Sequence, residues 1–275
     1  MTSKDPADHR EWTAVDQTAD PEAFVRFLSA TRASAIAAAE RDPQAAFAYL
    51  DVREGHRILD AACGQGDVTG LLARLVGPTG QVIGVDLSET MIRAAQARLQ
   101  GTALPVAFHV GDITALDFPP ATFDRVRAAR VLEHLPDPRA AVRELMRVTC
   151  PGGRVALQEP DYDTFVIAGA DRDMSRTFTR FFSDRVIHNG QIGSTLPELL
   201  REAGLTDITV DLLPVRSNYT AVREMLASVT ERAIAEGAME ETPGRAWLAD
   251  IDARGAAGTY VAAFLLFRVA GTVPV

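Results

Sequence analysis

Two glycines and a carboxylate, at a characteristic spacing, are the residues of this sequence best suited to hold a ligand. Gly64 and Gly66 follow a short apolar run that ends in Asp60, and Asp86 ends a second apolar run about 20 residues later. Glycine lets the backbone approach a ligand without a Cβ clash, and a helix after the turn directs unpaired N–H groups toward it. A carboxylate at the next strand end can accept hydrogen bonds from both ribose hydroxyls. The spacing therefore predicts an adenosine-binding β-α-β unit.

The third position of the glycine motif indicates which adenosine cofactor is bound. A dinucleotide-binding turn has a third glycine that packs helix on strand, but this chain has Thr69 there and Gly70 one residue late. Asp60, just before the turn, would repel a pyrophosphate and attract the ammonium group of an amino acid. These features disfavour a nicotinamide dehydrogenase and favour an adenosine that carries a cationic amino acid.

Together these motifs resemble the class I S-adenosylmethionine-dependent methyltransferases. The segment DAACGQG (residues 60–66) looks like the first motif of that family, and GVDLSETMI (84–92) looks like the second. The segment ARVLEHLPDP (129–138) resembles the fourth motif, and RVTCPGGRVAL (147–157) is also similar. The resemblance implies an α/β fold with a Rossmann-like, doubly wound, seven-stranded sheet whose last strand is antiparallel. Within that family, the sequence most resembles the ubiquinone/menaquinone-type and natural-product methyltransferases.

The resemblance also implies S-adenosylmethionine as the cofactor and assigns residues to its site. In the family, an acidic residue after the third strand bonds the adenine amino group and its apolar neighbour packs on the ring; Asp112 and Ile113 match. The fourth motif passes under the methionine end, which makes Ala129 and Arg130 pocket lining. The residues assigned to the cofactor are Asp60, Ala62, Gly64, Gln65, Gly66, Asp86, Leu87, Met91, Gly111, Asp112, Ile113, Ala129 and Arg130.

Three residues are candidates for a general base that would deprotonate an acceptor. His134 has the side chain most often used near neutral pH, although a packing role in its loop is favoured. His188 lies in a predicted pocket loop and is the preferred candidate. Glu159, with Asp161 and Tyr162, is expected to face the pocket from the end of the fifth strand, because ligands of doubly wound sheets lie there. No metal ion is expected, since hard cations need about six oxygen ligands.

Helices and strands alternate around these motifs. Apolar residues at helical spacing predict a helix over residues 68–76, ended by Gly77, and another after the N-cap candidate Ser88. A final pair of surface helices is predicted after the sixth strand. The strands predicted after the first are residues 81–85, 104–110, 123–126, 154–158, 208–215 and 260–270.

The predicted domains are an N-terminal helical cap (residues 1–50) and a methyltransferase domain (51–275). Asp20-Pro21 and Asp42-Pro43 are start signals for two cap helices, which in the resembled family cover the cofactor. Trp12 either packs this arm down or forms a wall of the site.

A helical lid insertion is predicted at about residues 164–195. Its bulky stripe serves either helix packing or an apolar roof over the acceptor. The stripe consists of Met174, Phe178, Phe181 and Phe182.

Composition limits the partners. The formal charge is -9, which argues against nucleic acid because phosphates require clustered Lys and Arg. Two cysteines are too few for a disulfide framework. The N-terminus lacks a signal-peptide pattern, and the longest apolar run, residues 260–267, is too short to cross a membrane. A cytoplasmic monomer or homodimer without a membrane partner is therefore expected.

The predicted function is methyl transfer to a small-molecule acceptor, by O- or C-methylation of a secondary metabolite or quinone-like compound. The reaction is an in-line displacement, in which the protein mainly positions the acceptor and excludes water. The alternative is a protein of this fold that binds S-adenosylmethionine without methyl transfer, such as a cyclase. The motifs leave both open because they concern cofactor binding alone.

Overall fold

The computed structural model of the protein describes residues 12–275. The strands are β1 (Arg57–Ala61), β2 (Gln81–Asp86), β3 (Val106–Val110), β4 (Phe123–Ala129), β5 (Thr149–Ile167), β6 (Thr206–Arg216) and β7 (Ala262–Thr272). They form one seven-stranded sheet in the order β3-β2-β1-β4-β5-β7-β6. The first five strands pair in parallel, and β7 is antiparallel to both of its neighbours. The predicted sheet with its antiparallel last strand is confirmed.

Helices connect and cover these strands. They are α1 (Pro21–Arg41), α2 (Pro43–Ala46), α3 (Asp67–Val76), α4 (Glu89–Leu99), α5 (Pro138–Val148), α6 (Arg172–Phe181), α7 (Ile192–Glu202), α8 (Tyr219–Ala235) and α9 (Glu241–Ala256). The predicted caps form: Asp20 accepts a hydrogen bond from the Ala23 N–H at 3.2 Å, and Ser88 accepts one from the Met91 N–H at 3.2 Å. Within residues 12–275, every helix is too short or too polar to span a bilayer.

The central strands β1, β2 and β4 are buried on both faces, which explains their short apolar runs, whereas the edge strands β3 and β6 are partly or largely exposed. Ile58 belongs to the cluster under α3, whereas its neighbour Leu59 belongs to the cluster under α5 and α7. Successive strand residues point to opposite faces. The two layers hold the strand ends rigidly, and those ends carry the predicted site residues.

The fifth strand is longer than predicted. The sequence predicts a strand over residues 154–158, but β5 continues to Ile167 and pairs with β7 on both sides of an irregularity between Asp161 and Val166. The carboxylates of Glu159 and Asp161 suggested a loop, yet each accepts backbone N–H groups from neighbouring segments. Glu159 binds the N–H groups of Val131 and Leu132 at 3.0 Å each, and Asp161 binds that of Ser194 at 2.8 Å.

A second hydrophobic core lies beside the extended β5. Phe178 of α6 stacks on Trp247 of α9 with ring centroids 4.9 Å apart, and Leu226 of α8 is buried in the same cluster. The predicted Phe stripe therefore serves helix packing. Helices α8 and α9, predicted as surface helices, bury one face against this stripe.

Candidate cofactor-binding site

A cavity of about 710 Å³, including its part open to solvent, lies at the carboxyl ends of β1, β2 and β4. This is the edge where open α/β sheets bind ligands. Ten of the thirteen residues assigned to a cofactor from the sequence line it. They are Ala62, Gly64, Asp86, Leu87, Met91, Gly111, Asp112, Ile113, Ala129 and Arg130.

Other lining residues were not assigned to the cofactor from the sequence. They come from the N-terminal segment and α1, where no motif was found, and from the loop after β4, which belongs to the fourth motif. They are Trp12, Thr13, Val15, Leu28, Arg32, Val131, His134 and Leu135. Of these, the sequence suggested only Trp12, as a wall of the site, and His134, as a base.

Asp86 joins the two ends of the adenosine-binding unit. Its carboxylate accepts the Gly64 N–H at 2.8 Å and the Ser88 N–H at 3.0 Å. Burial raises the pKa of Asp86, although these two hydrogen bonds oppose the shift. A carboxylate has about four lone-pair sites, so Asp86 can hold the glycine turn and still accept ligand hydroxyls from the cavity.

Asp60 has partners that differ from the predicted one. Its side chain is fully buried, lies 2.6 Å from the Arg127 guanidinium and accepts the Thr69 hydroxyl at 2.7 Å. The ion pair follows from strand register, because Asp60 and Arg127 are direct partners between β1 and β4. Asp60 does not line the cavity. Its interpretation as a ligand for an ammonium group is therefore not supported.

Gln65 and Gly66, also assigned to the cofactor, contact protein instead. The side-chain amide oxygen (Oε1) of Gln65 accepts the Ser29 hydroxyl at 3.1 Å, which ties α1 to the glycine turn. Gly66 has φ 76°, and a Cβ there would stand 2.9 Å from the Cβ of Ala95 in α4. Glycine at this position thus permits close packing of α3 on α4.

The loop after β4 is held from below by buried carboxylates. Arg130 has a left-handed backbone at φ 55°, and its Nε lies 3.5 Å from the Glu133 carboxylate. Glu159 sits beneath this loop, outside the cavity lining. Burial and the neighbouring Glu133 raise the pKa of Glu159 to about 8. Glu159 therefore shapes the loop and has no direct path to a ligand in the cavity.

The two histidine candidates lie in different places. His134 lines the cavity and stacks on Trp12 with ring centroids 5.8 Å apart. Burial, with Arg130, Arg32 and His188 nearby, lowers the pKa of His134 to about 3, so it is neutral at physiological pH. His188 is exposed and lines a separate surface depression beside α5 and α7. His188 is thus close enough to His134 to act on its charge, but only His134 of the predicted bases lines the cavity.

The N-terminal segment closes one side of the cavity. Asp16 accepts the hydroxyl of Ser88 at 2.9 Å and the backbone N–H groups of Glu89 and Thr90 at 2.7 and 3.1 Å. Trp12 meets Phe24 of α1 edge-on at 4.8 Å. Trp12 thus both packs the arm and lines the cavity.

Within residues 12–275, no group of three His, Cys, Asp or Glu side chains is arranged to hold a metal ion.

Residues 58–153 match a family model described as a methyltransferase domain. An uncharacterized 37.1 kDa protein of transposon TN4556 from Streptomyces fradiae is 37% identical over 226 residues, which are 80% of this chain and 63% of that protein. A ubiquinone/menaquinone biosynthesis C-methyltransferase from Saccharophagus degradans is 40% identical over 110 residues, 39% of this chain and 44% of the relative. The chain thus spans less than two thirds of the length of these relatives.

Solved structures share the fold at low sequence identity. A putative methyltransferase from Bacillus halodurans aligns with a TM-score of 0.62 at 18% identity, over 86% of this chain and 100% of that one. A [4+2]-cyclase aligns with a TM-score of 0.52 at 24% identity, over 86% and 82%. The fold is therefore shared with a protein named as a cyclase as well as with proteins named as methyltransferases.

Proposed function

We propose that the chain, whose residues 58–153 match a methyltransferase domain, is a class I S-adenosylmethionine-dependent methyltransferase that transfers a methyl group to a small-molecule acceptor by O- or C-methylation. The observation that carries the proposal is the Asp86 carboxylate. It is bonded to the backbone of both Gly64 and Ser88, and it lines the cavity at the strand ends. This arrangement suits a ribose beside a glycine turn.

The remaining lining suits the rest of the cofactor. Met91 and Ile113 are buried apolar residues on the adenosine side. Asp112 is oriented by the Thr114 N–H and hydroxyl, at 2.8 and 2.7 Å, which favours the predicted bond to the adenine amino group. Ala62 and Ala129 line the side toward β1 and β4, where the methionine moiety would lie.

The chain would act mainly by positioning and by excluding water. When bound, the cofactor supplies a sulfonium methyl group whose leaving group is neutral. Trp12, Leu28, Val131 and Leu135 give the cavity apolar walls that keep water from the transfer. His134 is a weak base here, because its pKa is lowered to about 3. We therefore favour an acceptor that reaches the site already nucleophilic, such as a phenolate or an enolate.

The test is formation of S-adenosylhomocysteine. The protein is incubated with S-adenosylmethionine and a panel of phenols, quinols and enols, and the demethylated cofactor and methylated acceptor are measured together by mass spectrometry. Stoichiometric appearance of both supports methyl transfer. A substrate that rearranges without formation of S-adenosylhomocysteine favours the non-methylating alternative. Failure of the folded protein to bind either form of the cofactor would remove both.

A further inference from the structure

Arg32 is a charged residue of the cavity that no sequence motif identifies. It lies on α1, four residues after Leu28, whose Cδ1 is 3.6 Å from the point where a Cβ on Gly64 would stand. Residues four apart share one face of a helix. The neighbouring Ser29 binds Gln65 of the same turn. This face of α1 therefore rests on the glycine turn and directs Arg32 into the cavity.

The surroundings of Arg32 are those of a cation that needs an anion. Among residues 12–275, its guanidinium has no hydrogen-bond or ion-pair partner. Burial, followed by the like charges of Arg130 and Arg127, lowers the pKa of Arg32 to about 10, so it stays charged at neutral pH.

Asp60 and Asp67, whose charges raise the pKa of Arg32, are already engaged by other arginines. Asp60 pairs with Arg127 at 2.6 Å, and Asp67 pairs with Arg98 at 2.9 Å. An isolated buried charge is unfavourable unless it is paired. A ligand anion beside Arg32 would provide that pairing.

We propose that Arg32 binds the carboxylate of the methionine moiety of S-adenosylmethionine, an inference that rests on the function proposed above. The planar guanidinium fork matches a carboxylate with two parallel hydrogen bonds. Arg32 lies between the glycine turn and the end of β4, next to Arg130, which is where the amino-acid end would lie. Of the cavity's own carboxylates, Asp86 feels the charge of Arg32 but is bonded to the Gly64 and Ser88 N–H groups, and Asp112 is bonded to Thr114.

The proposal changes the basis of cofactor selectivity. The sequence suggested that Asp60 recognises the ammonium group of the amino acid. In the structure Asp60 is engaged by Arg127, and the charged side chain exposed to that end of the cavity is a cation. Recognition of the methionine moiety would then depend on its carboxylate and on Arg32 of α1, a helix that lies outside the β-α-β unit.

The experiment compares two ligands that differ only in the carboxylate. S-adenosylhomocysteine and its decarboxylated form, S-adenosyl-3-thiopropylamine, are titrated calorimetrically into wild-type protein, Arg32→Met and Arg26→Met. Arg26 is the matched control, because it lies on the same helix, is 65% exposed and pairs with Asp20. Wild-type protein and Arg26→Met should prefer S-adenosylhomocysteine by about 10- to 100-fold, the range of a charge-assisted pair. Arg32→Met should lose that preference and bind the decarboxylated ligand as wild type does.

Each contrary result has a separate meaning. Equal weakening of both ligands by Arg32→Met, with the control unaffected, would show a role in shaping α1 and overturn the proposal. A wild-type protein without preference, or a variant that changes only the KM for the acceptor, would also overturn it. If folded wild-type protein binds neither ligand, the proposed function itself fails.

Discussion

Replacement of Asp60 by Asn should damage the fold much more than it damages cofactor binding. Asp60 is fully buried, and its carboxylate is the ion-pair partner of Arg127, whose side chain is 8% exposed. The substitution keeps the size of the side chain but leaves the guanidinium charge uncompensated between β1 and β4. The sequence alone predicts the opposite outcome, a loss of binding through the ammonium group of the cofactor.

The size of the effect follows from the burial of the pair. Removal of one partner from a buried ion pair costs about 3–5 kcal/mol. A chain of 275 residues unfolds with an entropy of about 0.6 kcal/mol per kelvin near its midpoint. The melting temperature of Asp60→Asn should therefore fall by about 5–8 °C. Thr69→Val removes only the hydroxyl that bonds to Asp60, and should cost about 1 kcal/mol.

Urea denaturation and calorimetric titration with S-adenosylhomocysteine, both well below the melting temperature, separate the two explanations. We expect lower stability with a dissociation constant within about threefold of wild type, a difference of less than 1 kcal/mol. The double variant Asp60→Asn/Arg127→Met should recover part of the lost stability, because the uncompensated charge is then gone. Unchanged stability together with a large loss of affinity would refute the structural role and restore Asp60 as a ligand.

Three further predictions concern other residues of the site. Asp86→Ala should weaken the binding of S-adenosylhomocysteine by about 2–4 kcal/mol, because charge-assisted hydrogen bonds to the ribose are lost. If the binding of an analogue without ribose hydroxyls is weakened equally, the substitution has instead disrupted the glycine turn. The pKa of Glu159 is raised from 4.5 to about 8, so the folded state binds the proton of this carboxyl group more tightly than the unfolded state does. The free energy of unfolding should therefore fall as the pH rises from 4.5 to about 8. Glu159→Gln should flatten that slope in thermal unfolding, and an unaltered slope would contradict the assignment. His188→Ala should lower turnover by less than about tenfold, because His188 lies outside the cavity, whereas loss of a general base costs about 10²–10⁴-fold.

The residues assigned to the adenosine line one cavity as the sequence led us to expect, because they follow one another in short motifs. Gly64, Asp86 and Asp112 each come at or just after the end of a strand, so their convergence follows once the strands are parallel. The ion pair of Asp60 with Arg127 was missed because it depends on the register between strands whose paired residues are 67 positions apart in the sequence.

The methionine side was less predictable for a similar reason. Arg32 reaches the cavity only because α1 docks on the glycine turn, and a helix of ordinary composition gives no sign of where it docks. The extent of β5 was missed because Glu159 binds N–H groups of the loop after β4 and Asp161 binds an N–H group in the first turn of α7. The donors, Val131, Leu132 and Ser194, are far from Glu159 and Asp161 in the sequence, so the local pattern gives no indication of them.

The length of β5 determines how the chain can be divided or recombined. One continuous strand contributes Val155 and Leu157 to the cluster under α5 and α7, and Phe165 and Ile167 to the cluster around α6, α8 and α9. Chimeras that exchange the helical insertion between relatives should therefore keep β5 and its β7 partner from the same parent. A crossover within residues 158–167 would divide a ladder that both clusters share, whereas one after Ile167 leaves the ladder whole.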